Sequence, residues 1–315
     1  MFRYILKRLA MLIPVIIGVS FLIFFAMDLA PGNELDVLYG DSVTPEQLAQ
    51  LVHEYGYDRS VFYRYGKYML DFVRGDMGTS SYLKAPVMEV YFQRLPATAF
   101  LAVASIIVAH LISIPLGIFS AKRAGSLADN GSMVLALLGL SIPNFWLGLM
   151  LIIAFSLYIK WFPSGGVDGL KSVVLPAITV GTGYTAMLTR TTRSSMIDVI
   201  RQDYLRTARS KGVPEKTVIN KHALKNALIP IITVSGTQLG AILGGAALTE
   251  TVFSWPGVGR LIVDAVSYRD VKLATGALIM TTMLSSIILL SVDILYAYID
   301  PRLKAQYARG RRTKK

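Results

Sequence analysis

Residues 198–230 read DVIRQDYLRTARSKGVPEKTVINKHALKNALIP, a polar and basic stretch between two long apolar segments. Arg201, Arg206, Arg209, Lys211, Lys216, Lys221 and Lys225 stand against Asp198, Asp203 and Glu215. The charge does not hide a helical period. Ile197, Ile200, Tyr204, Leu205 and Ala208 recur at three-to-four-residue spacing, which places them on one face of a helix. Gly212 offers a C-terminal stop, because glycine enters the left-handed region without steric cost. Pro214 suits the first turn of a second helix, and Glu215 suits that helix's positive end. Val218, Ile219, Leu224, Ala227 and Leu228 give the second helix its apolar face. The stretch predicts two short amphipathic helices meeting at a glycine elbow and held against a membrane.

The flanks of the elbow decide the fold class. The chain has 315 residues, 53% of them hydrophobic and 17% charged, with a mean hydropathy of +0.52. Soluble domains carry about 25% charged residues. The composition therefore predicts an all-α integral membrane protein. Six uncharged runs are long enough to cross: residues 9–27, 95–121, 130–159, 172–189, 226–249 and 273–292. A crossing helix needs about 17–25 such residues. The first run follows Arg3, Lys7 and Arg8, as a signal peptide would, but signal cores run only about 7–15 residues. It is expected to remain as a span.

Charge sets the orientation. With six spans, four basic groups fall on one side: Arg3/Lys7/Arg8, Lys122/Arg123, the loop 190–225, and a tail with Arg302, Lys304, Arg309, Arg311, Arg312, Lys314 and Lys315. The positive-inside rule puts both termini and the elbow in the cytoplasm. Residues 31–94 carry nine acidic and six basic residues and fall outside. Helical pattern runs through 45–56 and 59–73 of that segment. The expected organisation is a cytoplasmic N-terminus and first span (1–30), an extracytoplasmic segment (31–94), a transmembrane core with spans two to six (95–299), and a basic cytoplasmic tail (300–315). The expected location is the cell's cytoplasmic (inner) membrane. The net charge of +12 sits beside spans, which points to anionic lipid headgroups and inner loops rather than nucleic acid.

A search for chemistry returns little. Cysteine is absent, and neither a phosphate-binding P-loop, an HExxH nor a GxSxG motif occurs. His53, His110 and His222 are scattered without ligand spacing. Only His110 lies well inside a span, and it reads as an interhelical hydrogen-bonding group. Asp28, Glu250 and Asp293 are expected at span ends, in reach of water. No catalytic and no metal-binding residue is assigned. Pro14, Pro115, Pro143 and Pro176 loosen spans, the third of which is interrupted at Ser141-Ile142-Pro143-Asn144. Gly236, Gly240, Gly244, Gly245, Ala246 and Ala247 allow close helix approach in the fifth. The result is a bundle without an engine, carrying a structured inner loop.

The elbow itself suggests where the engine sits. The run Asp203-Tyr204-Leu205-Arg206-Thr207-Ala208-Arg209-Ser210-Lys211-Gly212, continuing to Asn226-Ala227-Leu228-Ile229-Pro230, resembles the EAA loop of ABC importer permeases. Arg206-Thr207-Ala208 stands where that loop has Glu-Ala-Ala, and Ile229-Pro230 where it has Leu-Pro. Both departures resemble the dipeptide/oligopeptide branch. Arg74-Gly75-Asp76-Met77-Gly78-Thr79-Ser80, Arg94-Leu95-Pro96-Ala97-Thr98 and Ser141-Ile142-Pro143-Asn144-Phe145 are similar to further stretches of that branch. So are Glu250 through Arg260, Tyr268-Arg269-Asp270 and Asp300-Pro301-Arg302. The order of these motifs covers nearly the whole chain and resembles the first (B-type) permease.

The resemblance implies a six-span ABC type I importer permease that pairs with a second, related permease subunit. Two ABC ATPase subunits, which bind the ATP and Mg, would dock on the elbow; this chain would bind no cofactor. The docking residues so implied are Asp203, Tyr204, Arg206, Ala208, Arg209, Lys211, Gly212 and Pro214. Arg206 and Arg209 would meet acidic or polar surface, and Gly212 with Pro214 would fix the pivot. An extracytoplasmic substrate-binding protein would settle on residues 31–94, particularly 41–65, and on the loop 251–272. Thr182, Tyr184, Thr185, Gln238 and Glu250 are candidates to line the peptide path. The alternatives are the same architecture with another cargo, nickel or glutathione, or a stand-alone ion-coupled carrier or channel.

Overall fold

The computed structural model describes residues 2–29, Leu35, Tyr39 and 42–299. Pro31-Gly32, Asp41, Asp300-Pro301-Arg302 and the basic tail lie outside the described residues. The chain forms α1 (Phe2–Leu29), α2 (Pro45–Glu54), α3 (Val61–Val73), α4 (Val87–Lys122), α5 (Leu127–Ser141) and α6 (Asn144–Leu151). There follow α7 (Val174–Ile200), α8 (Asp203–Ser210), α9 (Leu224–Gly245), α10 (Ala247–Val252), α11 (Val258–Ser267) and α12 (Val271–Ile299). Among the described residues the only extended pairing is an isolated bridge between Thr79 and Pro86.

Among the described residues five helices are long and apolar enough to cross a membrane: α1, α4, α7, α9 and α12. The sixth crossing is broken. α5 and α6 meet at 92°, because Pro143 has no N–H to donate and pushes Ile142 out of the helical region; Ile142 has φ −82 and ψ 122. α6 then loosens into a π-helical turn, Ile152–Tyr158. The two ends of this bent pair lie at opposite ends of the bundle. Asp129, in the first turn of α5, pairs with Arg193 near the elbow end of α7 at 2.6 Å. Gly166, beyond the π turn, donates to the Phe253 carbonyl at 2.9 Å, at the other end. The pair therefore crosses once, and the described residues form six spans.

Small residues bring the spans together. α4 and α7 pack along each other more extensively than any other pair, through Gly117 and Gly181. A Cβ at Gly181 would lie 2.7 Å from the Ser105 carbonyl oxygen, so the two backbones touch there. α9 meets α12 in the same way, with Gly236 against Val292 and Gly240 against Leu289. His110 bridges α4 and α9: its ring nitrogens lie 2.7 Å from the Ile106 carbonyl and 2.7 Å from the Ser235 hydroxyl. Leu101, Val180, Ile242 and Trp255 fill the space between α4, α7 and α9.

Two expectations are corrected here. The fourth span does not stop at residue 189; α7 continues to Ile200 and carries Arg190 and Arg193 with it. The guanidinium of Arg193 is met by the Asp129 carboxylate at 2.6 Å through both Nε and Nη2, so the charge does not have to leave the helix. Glu250 does not face water. It is fully buried, and its carboxylate accepts from the Thr98 hydroxyl at 2.7 Å and from the Arg260 amide at 2.9 Å. Gly257 makes this possible, since a Cβ there would overlap the Glu250 carboxylate. A buried carboxylate with its oxygens satisfied is tolerated where a bare one is not. Asp28, by contrast, is exposed and pairs with Arg64, while nothing is described of the Asp293 side chain.

The end of the bundle opposite the elbow is tied in the same manner. Asp270 is buried and accepts from the Ser80 hydroxyl at 2.5 Å and the Leu273 amide at 2.9 Å. It thereby caps α12 and pins the turn that precedes α4. Tyr82 and Tyr268 stack beside it at 3.7 Å. Trp255 donates its indole N–H to the Ala97 carbonyl at 2.9 Å, closing the loop after α10 over α4.

Candidate functional site

The elbow is two helical pieces separated from α7 by a break. α7 ends at Ile200, Arg201 and Gln202 turn the chain, and α8 starts at Asp203. The single helix expected to unite Ile197 with Ala208 is therefore two. Ile197 and Ile200 close the end of α7, and only Tyr204, Leu205 and Ala208 belong to α8. The two groups still converge on one core. Leu205, Val218, Ile219, Ala223 and Ala227 are buried together with Ala121 of α4 and Met196 of α7. Full burial of a leucine such as Leu205 contributes about 1.5–3 kcal/mol, so the elbow is fastened to the bundle rather than hung from it.

The turn at Gly212 is a Schellman motif. The Gly212 amide donates to the Arg209 carbonyl at 2.9 Å, and the Val213 amide donates to the Ala208 carbonyl at 3.2 Å. Val213 and Ala208 also pack against the same core, as this cap usually requires. Gly212 has φ +76, a conformation that costs other L-residues about 1–2 kcal/mol. A Cβ added there would meet nothing within 4 Å. The glycine is thus set by backbone conformation and leaves open space above it. Pro214 is the N-cap of the next helix, with ψ 137, and not in its first turn as expected. Its ring restricts the turn from outside, and Glu215 opens the helix. Helical structure then runs through Glu215–Thr217 and a π-helical segment, Val218–Ala223, into α9.

Two polar bridges cross the elbow. Arg209 binds Glu215 with two parallel hydrogen bonds of 3.0 Å. Tyr204 accepts from the Asn226 side chain at 2.7 Å, which joins α8 to the start of α9. Arg206 has no such hold: its contact with Asp203 is 4.0 Å, and their side chains are 81% and 97% exposed. Lys211 and Pro214 are exposed as well. Of the eight residues expected to dock, Asp203, Arg206, Lys211, Gly212 and Pro214 form the open surface. Tyr204 and Arg209 spend their polar groups inside the elbow, and Ala208 is half-buried beneath it. Glu215, Asn226 and Ala223 are the structural members that sequence reasoning did not assign. Their signal is local: an acid six residues after an arginine across a glycine turn, and an alanine in register with Ile219 and Ala227.

The candidate path residues do not form one group. Thr182 and Thr185 donate to carbonyls of their own helix, at 2.7 Å and 3.1 Å. Thr182 also fits against Gly139 of α5. Tyr184 packs on the core between α4, α7 and α9, and Gln238 is half-buried on α9. Glu250 is held at the far end as described. Among the described residues no cluster of three or more metal-binding side chains occurs, and His53 instead contacts Asp58 at 2.7 Å.

Comparison with known families decides the class. Residues 113–305 match the model described as "Binding-protein-dependent transport system inner membrane component", and residues 1–104 match its N-terminal companion. The chain belongs to the family of binding-protein-dependent transport system inner membrane components. It is 40% identical to the dipeptide transport system permease protein DppB of Alkalihalophilus pseudofirmus, over 96% of this chain and 100% of that protein. It is also 40% identical to the oligopeptide transport system permease protein AppB of Bacillus subtilis, again over 96% and 100%. A glutathione transport system permease protein, GsiC of Salmonella paratyphi A, is 38% identical. A chain in a solved inward-facing structure of the MetNI methionine ABC transporter superposes with a TM-score of 0.56 at 16% identity, over 68% of this chain and 97% of that one. That last likeness concerns the fold alone. This family member is a multi-pass membrane protein, and its elbow lies within the matched segment 113–305, which holds the end of the second span and the four spans after it.

Proposed function

We propose that this family member is the non-catalytic membrane subunit of an ATP-driven importer and forms part of the path for dipeptides or short oligopeptides. The observation that carries the reading is the near-full-length identity of 40% to dipeptide and oligopeptide permeases, joined to an elbow built as a rigid lever. An ATPase subunit docks over Asp203, Arg206, Lys211 and Gly212, where the chain leaves open and charged surface. Its closure on ATP pushes the elbow. The Schellman turn and the buried Leu205 carry that push into α7 and α9, which both end there. A second permease subunit completes the path, and an extracytoplasmic binding protein delivers the peptide at the opposite end. The chain lies in the cytoplasmic membrane with its elbow and termini inside.

The test is reconstitution of the chain with its cognate permease, ATPases and binding protein in liposomes. Labelled dipeptide should accumulate only with ATP and binding protein present. Accumulation of nickel or glutathione but no peptide would overturn the cargo assignment. Transport by this chain alone, without ATP, would overturn the whole reading.

A further inference from the structure

The acid-balanced surroundings of α3 predict a helix standing outside the membrane, but its contacts with α1 place it lower. The uncharged part of α1, residues 9–27, is 19 residues long, about 28 Å at 1.5 Å per residue against a hydrocarbon core about 30 Å thick. α1 therefore has no slack, and Asp28 marks the boundary on the side away from the elbow. Tyr65 of α3 donates to the Ile17 carbonyl at 3.0 Å and lies 2.9 Å from the Ser20 hydroxyl. Ile17 precedes Asp28 by eleven residues, so it lies about 16 Å below that boundary. Phe62 stacks on Phe21 at 6.0 Å, and Tyr65 meets Phe21 and Phe24 edge-on at 5.3 Å and 5.7 Å. A helix riding above the boundary cannot reach these partners.

The sides of α3 agree with that depth. Tyr65, Tyr68, Met69 and Phe72 pack towards the bundle. Arg64, Lys67, Asp71 and Arg74 form a charged side, with Arg64 paired to Asp28 at the boundary. The third side presents Phe62, Leu70 and Val73, which are 67%, 62% and 79% exposed. At 100° per residue they fall within about 80° of one another. This apolar strip is continuous, through the Phe62–Phe21 stack, with the open apolar surface of α1 around Leu22.

We propose that α3 is an interfacial helix seated in the leaflet opposite the elbow, with phospholipid acyl chains covering Phe62, Leu70 and Val73. An amphipathic helix gains its seat by burying such a strip while its charged side stays with headgroups and water. The segment before α4 is then anchored at a fixed height on the membrane, whatever cargo the subunit carries. The inference rests on α1 as a span and not on the peptide assignment.

The chain contains no cysteine, so single cysteines report without background. Phe62→Cys, Leu70→Cys and Val73→Cys, with Lys67→Cys and Arg74→Cys as controls, are made in the full chain and reconstituted in liposomes. A membrane-impermeant maleimide should label the first three about tenfold more slowly than the controls. A fluorophore attached at these three sites through a permeant reagent should be quenched by lipids brominated on their acyl chains, and at the controls it should not. Labelling of all five sites at one rate overturns the proposal. Slow labelling without quenching by brominated lipid overturns it too, because protein and not lipid then covers the strip. Three independent positions keep the test valid if one variant fails to fold.

Discussion

Gly212 separates the two roles that the elbow combines. Its φ of +76 imposes a conformational cost on a replacement, about 1–2 kcal/mol for an ordinary L-residue and less for asparagine. Because a Cβ at Gly212 meets nothing within 4 Å, no clash adds to that cost. Gly212→Ala and Gly212→Trp therefore destabilise the chain alone by nearly the same amount, about 1–2 kcal/mol. Any further difference between them comes from what sits on the elbow. The isolated chain in detergent should show matching thermal midpoints for both variants, slightly below the parent, with Gly212→Asn closer to the parent. In the assembled transporter Gly212→Ala should retain most ATPase co-purification and peptide uptake. Gly212→Trp should lose both. If the tryptophan variant captures the ATPase and transports as well as the alanine variant, nothing packs over the turn and the docking assignment is wrong.

Three further outcomes follow from the polar bridges. Arg209→Ala and Glu215→Ala should couple by about 0.2–1 kcal/mol in a double-mutant cycle of thermal stability, since the partners are 34% and 54% exposed; a coupling of zero removes the clasp. Asp129→Asn should destabilise by about 3 kcal/mol, because it leaves Arg193 without its carboxylate. Combining Asp129→Leu with Arg193→Met should recover much of that loss, and no recovery would show that the pair does more than satisfy itself. Glu250→Gln should cost about 1–3 kcal/mol, since one carboxylate oxygen becomes a donor facing donors. Gly257→Ala should cost more, as its methyl overlaps the carboxylate. Unchanged thermal midpoints in both would show that the buried site relaxes freely.

The six spans were legible because uncharged length is a direct demand of the hydrocarbon, and Pro143 breaks the third span as expected, whereas Pro176 falls in the first turn of α7, where it breaks no helix bond. The elbow glycine was legible for a similar reason: a polar loop that still shows helical period needs a residue with φ above zero to fold back. What escaped was set by partners distant in sequence. Arg193 looks like the beginning of a loop until Asp129 is found beside it, and α7 therefore looked too short. Glu250 looks like a wet span end until Thr98 and Gly257, contributed by two other segments, are seen to enclose it. Arg209 looked free to meet a partner because its own partner, Glu215, lies beyond the turn. α3 was read as a helix from its periodicity, but its placement came from charge balance alone, which does not record how deep its aromatic side reaches along α1.

Cross-linking from the open side of the elbow tests the central claim most directly. A photo-reactive residue replacing Arg206, whose side chain is 81% exposed, is placed in the intact transporter in its membrane and irradiated with and without ATP. The account predicts one dominant adduct with an ATPase subunit, its yield changing with nucleotide. Adducts with lipid alone, at a yield indifferent to nucleotide, would contradict it.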